Sequence, residues 1–214
     1  MPEVKCKAVL FDLDGTLVDS CSSIENFWSR WAIKNHIDVN YVLSVIHGRN
    51  IEEALKLISP YFHNEDCIEE IKVLAIEELS HVSPVAGAVD FMKKIPVKRI
   101  AIVTSGAWKV AIASIRGAGL SVPDLVITSE DVWNDKPDPE PYLKATQLLD
   151  VQPDDCLVFE DADCGIQSAI AAGMRVIAVG SFSHRLKNRQ DGMQLDNYKN
   201  ILVDIEGDLI TLSW

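Results

Sequence analysis

The sequence predicts an α/β protein: a doubly wound parallel sheet with a small all-helical domain inserted after the first strand. Three observations carry this. Short apolar runs recur at 5–11, 100–103, 125–128, 156–159 and 175–179, nearly continuous in the way of strands buried on both faces. Helical stretches separate the last four, and strand–helix alternation implies parallel pairing. Residues 19–81, by contrast, carry helical periodicity only. The expected core is therefore 1–18 together with 82–214, and the expected insert is 19–81.

The first strand, 5–11, stops at Asp12-Leu13-Asp14-Gly15-Thr16. In the insert, Ile24, Phe27, Trp28, Trp31 and Ala32 fall at helical spacing, then Val42, Leu43, Val45 and Ile46. Ile51, Ala54, Leu55 and Ile58 mark a third helix, and Cys67, Ile68, Ile71, Leu74, Ala75 and Leu79 a fourth. Asp19-Ser20, Asn50 and Asn64 are the expected N-caps. A helix over 85–94 precedes the strand 100–103, which stops at Thr104-Ser105-Gly106. The helix 107–117 is closed by Gly117 and Gly119. Strand 125–128 leads to a helix at 139–149, and strand 156–159 leads through Glu160-Asp161 to a helix at 163–172 that ends on Gly173. Strand 175–179 stops at Gly180-Ser181, the segment 187–200 is turn-rich, and Ile201-Leu202-Val203 adds a last short strand.

Composition narrows the function. The formal net charge is −12, so nucleic acid and anionic membrane surfaces are poor partners. The same charge repels a small anion, so a phosphate site must be made locally positive by a metal, a lysine or aimed N–H groups. Cys6, Cys21, Cys67, Cys156 and Cys164 show no metal-knuckle or CxxC spacing. They fit reduced thiols of the cytoplasm, mostly as core fillers. No apolar run reaches the roughly 18 residues of a membrane span, and the N-terminal apolar stretch is too short for a signal peptide. A soluble cytoplasmic monomer is expected.

Polar groups gather where the strands end: Asp12 and Asp14, Thr104 and Ser105, Lys136, then Glu160 and Asp161. In open α/β sheets, ligands bind in the crevice at those ends. Carboxylates with room for water suit Mg²⁺, which keeps few carboxylate ligands and takes substrate phosphate oxygens. Lys136 is a point charge for a phosphate oxygen. Thr104 adds a hydroxyl, and the Ser105 N–H lies at a helix N-terminus, a natural anion site. One carboxylate can act as a nucleophile and form an acyl phosphate. Asp12 and Asp14 are two residues apart and point the same way while the chain stays extended. Asp12 can then attack phosphorus while Asp14 supplies and removes protons. Gly15 permits the turn, and Thr16 can fix it by hydrogen bonding. Each segment taken alone also fits an ordinary turn, surface lysine or helix cap. Their shared position at one sheet edge favours a site.

At these residues the chain resembles the haloacid dehalogenase (HAD) superfamily, in its phosphatase branch with a helical cap, close to sugar phosphatases and phosphoglycolate-phosphatase-like hydrolases. The matching segments are Phe11 to Ser20, Ile102 to Gly106, Lys136 to Tyr142 and Phe159 to Gly165. The resemblance implies a Rossmann-like core and a Mg²⁺-dependent phosphatase acting on a small phosphorylated metabolite, such as a sugar phosphate. It makes Asp12 the nucleophile and a metal ligand, Asp14 the acid/base with its carbonyl on the metal, and Asp161 the third protein ligand. It gives phosphate binding to Thr104 and the N–H groups of Leu13 and Ser105. Lys136 bridges phosphate and Asp12, and Glu160 positions Lys136 or a metal-bound water. It makes residues 19–81 a cap that closes over the site and selects the substrate.

A sugar-phosphate mutase of the same fold resembles the chain closely, but its pattern has a histidine twelve residues past the nucleophile, where this chain has Ile24. A receiver-like phospho-acceptor is the non-enzymatic alternative. Its phosphorylated aspartate should end a later strand, in the region that here reads as helical insert. Within the insert, His47, Arg49 and Asn50 join two predicted helices around Gly48 and are the candidates for substrate contact. Trp28 and Trp31 read as core of the insert by their spacing. Trp108 is placed at the mouth of the site. His36, His63, His81 and His184 show no ligand spacing.

Overall fold

The computed structural model describes residues 2–180 and 193–214. In chain order the elements are β1 (Glu3–Cys6), β2 (Ala8–Phe11), β3 (Val18–Asp19), α1 (Cys21–Lys34), α2 (Val39–Ile46), α3 (Ile51–Ile58), α4 (Glu65–Leu79), β4 (Ser83–Pro84) and α5 (Ala88–Lys93). They continue as β5 (Ile100–Val103), α6 (Trp108–Gly117), β6 (Leu125–Ile127), α7 (Glu140–Leu149), β7 (Cys156–Glu160), α8 (Asp163–Ala171), β8 (Arg175–Val179), β9 (Met193–Leu195), β10 (Leu202–Glu206) and β11 (Leu209–Ser213).

Six strands form a sheet in the order β6-β5-β2-β7-β8-β9. Every neighbouring pair in it is parallel. The chain adds β5 and β6 on one side of β2 and then returns to lay β7, β8 and β9 on the other. Such a reversal opens a crevice at the carboxyl ends of the strands. Register fixes what stands there: Phe11 lies opposite Ile102 on one side and Phe159 on the other. The residues just beyond these positions therefore share one edge.

Alternate residues of each strand feed opposite faces. Phe11, Ile102 and Phe159 pack on one side of the sheet, while Leu10, Val103 and Val158 pack on the other against Tyr142 and Ala145 of α7 and Ala169 of α8. Both faces are thus covered, which explains strands that read as unbroken apolar runs.

The expected first strand, 5–11, is two strands. β2 belongs to the parallel sheet, but β1 pairs antiparallel with β11 in a separate three-stranded sheet, β1-β11-β10. Burial shows why: β2 is buried throughout, whereas in β1 only Val4 and Cys6 are buried. The chain changes sheets at Lys7, whose ammonium meets Asp155 at 2.7 Å. The expected strand at 201–203 grows into a full hairpin, β10 and β11, turning at Gly207 with φ +58°. Its alternating Asp204 and Glu206 hide it from a search for continuous apolar runs. Of the turn-rich stretch 187–200, residues 187–192 lie outside the described residues, as do Ser181 and His184, while 193–195 form β9.

Helices α1 to α4 fill the insert. Trp31 is completely buried, edge-on to Phe62 with centroids 5.0 Å apart, and Trp28 packs beside it at 5.7 Å. Asn50 and Asn64 cap α3 and α4, accepting from Glu53 N–H at 2.9 Å and Cys67 N–H at 3.0 Å. Asp38 caps α2, accepting from Tyr41 N–H at 3.0 Å. Ser20 holds the N-cap position of α1 without capping it; its hydroxyl serves Asp14 instead. The region 19–81 is not wholly helical, because Asp19 lies in β3, which pairs antiparallel with β4 and ties the entering chain to the leaving chain. The insert leans on the core where α4 meets α6. There a Cβ on Gly117 would fall 2.4 Å from the Leu79 carbonyl, so only glycine permits the approach.

Candidate active site

Asp12 follows β2 at the centre of the sheet, with its N–H bonded to the Phe159 carbonyl at 3.0 Å. Lys136 reaches it from the loop ahead of α7. The ammonium donates to Asp12 Oδ1 at 2.7 Å, to Glu160 Oε1 at 2.7 Å and to the Val103 carbonyl at 2.9 Å. All three side chains are buried. Burial disfavours the Lys136 charge, but the Asp12 and Glu160 carboxylates outweigh it and hold the pKa well above the ordinary lysine value. Glu160 is raised by burial and then by the charge of Asp12. Asp161 is raised strongly, by burial and then by Asp12 and Glu160.

The Glu160 carboxylate is fully engaged. Besides Lys136, Oε1 accepts from Tyr142 Oη at 3.1 Å, and Oε2 accepts from the N–H groups of Asp161 and Ala162, each at 3.0 Å. Gly165 in the first turn of α8 makes room: a Cβ there would lie 1.5 Å from Glu160 Oε1. The contact with Lys136 matches one of the two roles expected for Glu160.

Gly15 turns the chain with φ +86°, donating its N–H to the Val18 carbonyl at 2.8 Å. A Cβ on it would lie 2.2 Å from Asp161 Oδ2, so Gly15 also admits Asp161 to the site. The Thr16 hydroxyl does not close the local turn, as its position suggested. It crosses to Asp161 Oδ1 at 3.1 Å. Asp14 Oδ1 accepts from Ser20 Oγ at 2.7 Å and Ser114 Oγ at 3.5 Å. Burial pushes its pKa up to about 6; the Ser20 hydrogen bond opposes the shift and the charge of Asp12 adds to it.

Thr104 is buried, and its Oγ1 accepts from Gly106 N–H at 3.1 Å. Ser105 Oγ donates to Asp135 Oδ1 at 2.8 Å. The Leu13 side chain is fully buried, which leaves only its backbone for a ligand.

These groups border a cavity of about 810 Å³ between the sheet edge and the insert. The core contributes Asp12, Asp14, Thr104, Ser105, Lys136, Glu160 and Asp161 to its lining. The insert contributes Ile24, Trp28, His47, Arg49 and Asn50. Trp28 thus packs in the insert and also faces the cavity. Trp108 does not reach it among the described lining residues: it starts α6 at 45% exposure, pointing outward. His47 lies 3.3 Å from Glu25, and Arg49 lies 3.3 Å from Glu53. The Asn50 amide is used at both ends, on Glu53 N–H and on Asp135. Sequence reasoning missed Ser20, Ser114, Asp135 and the Tyr142 hydroxyl. None of them immediately follows a strand of the six-stranded sheet, and their partners lie 6 to 100 residues away.

Asp12, Glu160 and Asp161 each offer a carboxylate oxygen, all within 4.8 Å of one another. Lys136, Tyr142 and two N–H groups consume Glu160. Asp12 and Asp161 remain, in a recess that a Cβ on Gly15 would fill. An all-oxygen donor set with few carboxylates fits Mg²⁺.

A doubly wound parallel sheet with two aspartates after its first core strand, a third after β7 and a buried lysine reaching in from the loop before α7 defines the class as an α/β protein with an acidic site at its switch point. The family model for haloacid dehalogenase-like hydrolases matches residues 9–179, and the chain belongs to that family. Hexitol phosphatase A of Escherichia coli is 35% identical over 214 residues, 97% of this chain and 99% of the relative. Glycerol-1-phosphate phosphohydrolase 2 of Saccharomyces cerevisiae is 32% identical over 190 residues, 83% of this chain and 76% of the relative. Among solved structures, β-phosphoglucomutase from Clostridium difficile superposes with a TM-score of 0.74 at 24% identity, over 90% of this chain and 92% of that one. That likeness concerns the fold. No helix among the described residues is long and apolar enough to cross a membrane.

Proposed function

We propose that this protein is a Mg²⁺-dependent phosphatase that hydrolyses a small sugar phosphate through a phospho-aspartate on Asp12. The observation that carries the reading is the Lys136 ammonium shared at 2.7 Å between Asp12 and Glu160, with Asp161 beside them. Relatives named as hexitol and glycerol-1-phosphate phosphatases support a small polyhydroxylated substrate.

In this reading Lys136 holds Oδ1 of Asp12, so the other carboxylate oxygen attacks phosphorus. Asp14, whose pKa is raised to about 6 and so lies near the range suited to proton transfer, gives its proton to the leaving alkoxide as the P–O ester bond breaks. It then takes a proton from the water that attacks the acyl phosphate, releasing inorganic phosphate and restoring the Asp12 carboxylate. Thr104 and the N–H groups of Leu13 and Ser105 hold the phosphoryl oxygens, as does Lys136. Asp12, Asp161 and the Asp14 carbonyl would hold Mg²⁺, which would supply positive charge for the phosphoryl oxygens. Residues 19–81 act as the cap, with His47 and Arg49 the candidates for the sugar end.

The mutase alternative lacks its histidine: Ile24 lines the cavity at that position. The receiver alternative lacks its acceptor, because the region where one is expected is α3. A cytoplasmic monomer completes the reading. The test is phosphate release from p-nitrophenyl phosphate and a panel of sugar and polyol phosphates, with Mg²⁺ or EDTA. Turnover that needs Mg²⁺ and vanishes in Asp12→Asn supports it; an inactive wild type, or an active Asp12→Asn, defeats it.

A further inference from the structure

Asp135 precedes Lys136 and belongs to none of the reacting groups, yet three elements meet on its carboxylate. Oδ1 accepts from Ser105 Oγ at 2.8 Å and from the Lys136 N–H at 2.8 Å. Oδ2 accepts from Asn50 Nδ2 at 3.0 Å, a contact that crosses from the core to the helical insert. Asn50 cannot swing freely, because its Oδ1 caps α3 on Glu53 N–H at 2.9 Å. The arm is therefore fixed at its root, and Asp135 is the acceptor on which it lands. A second crossing lies at the other end of the same loop, where Cys164 Sγ meets the Gly48 carbonyl at 3.4 Å. A Cβ on Gly48 would lie 2.9 Å from that sulfur, so the loop sits directly on the core.

A carboxylate beside a phosphate site costs binding energy through repulsion unless donors neutralise it. Here two of the donors are the machinery itself: the backbone of Lys136 and the hydroxyl of Ser105, whose N–H faces phosphate in the proposed reaction. The third donor is the insert. We infer that Asp135 is a positioning residue that latches the insert, through Asn50, to the segments carrying Ser105 and Lys136. Closure and alignment of the phosphate site are then one event. The inference rests on the phosphatase reading for its kinetic consequence and on geometry alone for the latch.

Two measurements separate these. The kinetic one is a double-mutant cycle of Asp135→Ala and Asn50→Ser on the best sugar phosphate. Serine keeps a good N-cap on α3 but is too short to reach Asp135. Each single variant should lower kcat/KM about 10-fold, within the usual range of coupling between linked sites. The double variant should be no worse than Asp135→Ala alone. Losses that multiply to about 100-fold mean independent roles and overturn the latch. The second measurement needs no turnover: hydrogen exchange in metal-free protein. Asp135→Ala should speed exchange across residues 47–58 several-fold and leave α7 unchanged. Unchanged exchange across 47–58 refutes the latch even in an active enzyme. Faster exchange in a protein without phosphatase activity keeps the latch and rejects the phosphatase.

Discussion

The substitution Gly165→Ala places a methyl carbon 1.5 Å from Glu160 Oε1 and 2.0 Å from its Cδ. In an exposed helix the same exchange stabilises by about 1 kcal/mol, because alanine loses less backbone entropy. Here the obstacle is not the loose end of a side chain. Glu160 is bound to Lys136, to Tyr142 and to two backbone N–H groups. Either α8 shifts, at an overpacking cost of about 1–3 kcal/mol, or Glu160 leaves Lys136. Separating a buried pair costs about 3–5 kcal/mol. Less the helical gain, the net loss is roughly 0–2 kcal/mol if α8 shifts and roughly 2–4 kcal/mol if Glu160 is displaced. In a chain of 214 residues displacement of Glu160 lowers Tm by about 4–16 °C and a shift of α8 by up to about 8 °C. Turnover should fall by about 10²-fold or more, since Lys136 loses the anchor that aims it at Asp12. Calorimetry and phosphate release on the same preparation decide the matter. A variant as stable as wild type with unaltered kcat/KM would falsify the tight packing of α8 on Glu160.

Two further outcomes bear on the charges. Saturating Mg²⁺, at about 100 times its Kd, should stabilise the wild type by about 2.7 kcal/mol over EDTA, or about 5–11 °C in Tm. Asp161→Asn should lose most of that gain, and an equal gain in the variant places the ion elsewhere. Asp14 has its pKa raised from the ordinary 3.8 to about 6 in the folded protein, so its contribution to stability is present below about pH 4 and is lost as pH rises through 6. In EDTA, Asp14→Asn should therefore gain more Tm over wild type at pH 8 than at pH 5, and the reverse order contradicts a buried, destabilised carboxylate.

The site was legible where strand ends carry it. β2, β5 and β7 are buried on both faces, so each announces itself as an apolar run, and the first polar residues after it must stand at the sheet edge. Asp12, Thr104 and Glu160 follow from that logic alone. Lys136 followed less directly, because its loop comes after a strand by several residues. Asp135, Ser20 and Ser114 were invisible for another reason. Each is a short polar residue whose partner is fixed by tertiary packing, whether it sits in a loop (Asp135), at a helix start (Ser20) or on the buried face of α6 (Ser114). The split at Lys7 was hidden by apolar residues on both sides of it. The β10–β11 hairpin was hidden by the opposite condition: its sheet keeps one face in water, so polar residues interrupt the run. Trp108, at the first position of α6, is half exposed and outside the cavity's described lining, whereas Val110 two residues on contributes to it.

A strongly acidic chain that binds a phosphate ester has to reverse its own field locally, and the buried network indicates how. Burial and mutual repulsion raise the pKa values of Glu160 and Asp161, and one ammonium faces the whole group. If Lys136 paired with Asp12 alone, the pair would be internally satisfied and the proposed nucleophile blunted. Sharing it with Glu160 and the Val103 carbonyl leaves one Asp12 oxygen unbound by lysine. The price is an excess of negative charge at Asp12 and Asp161, and a divalent cation offsets that excess better than a second lysine, which is bulkier and carries one charge. Buried ion pairs of this kind are weak sources of stability. Their value here is geometric: Glu160 fixes the lysine, the lysine fixes Asp12, and the metal-free site stays repulsive to phosphate. On the proposed reading the cation would bind before the substrate. Phosphate affinity measured by calorimetry should then be lost in EDTA and recovered with Mg²⁺, whereas equal affinity in both conditions would show that Lys136 and the backbone N–H groups suffice.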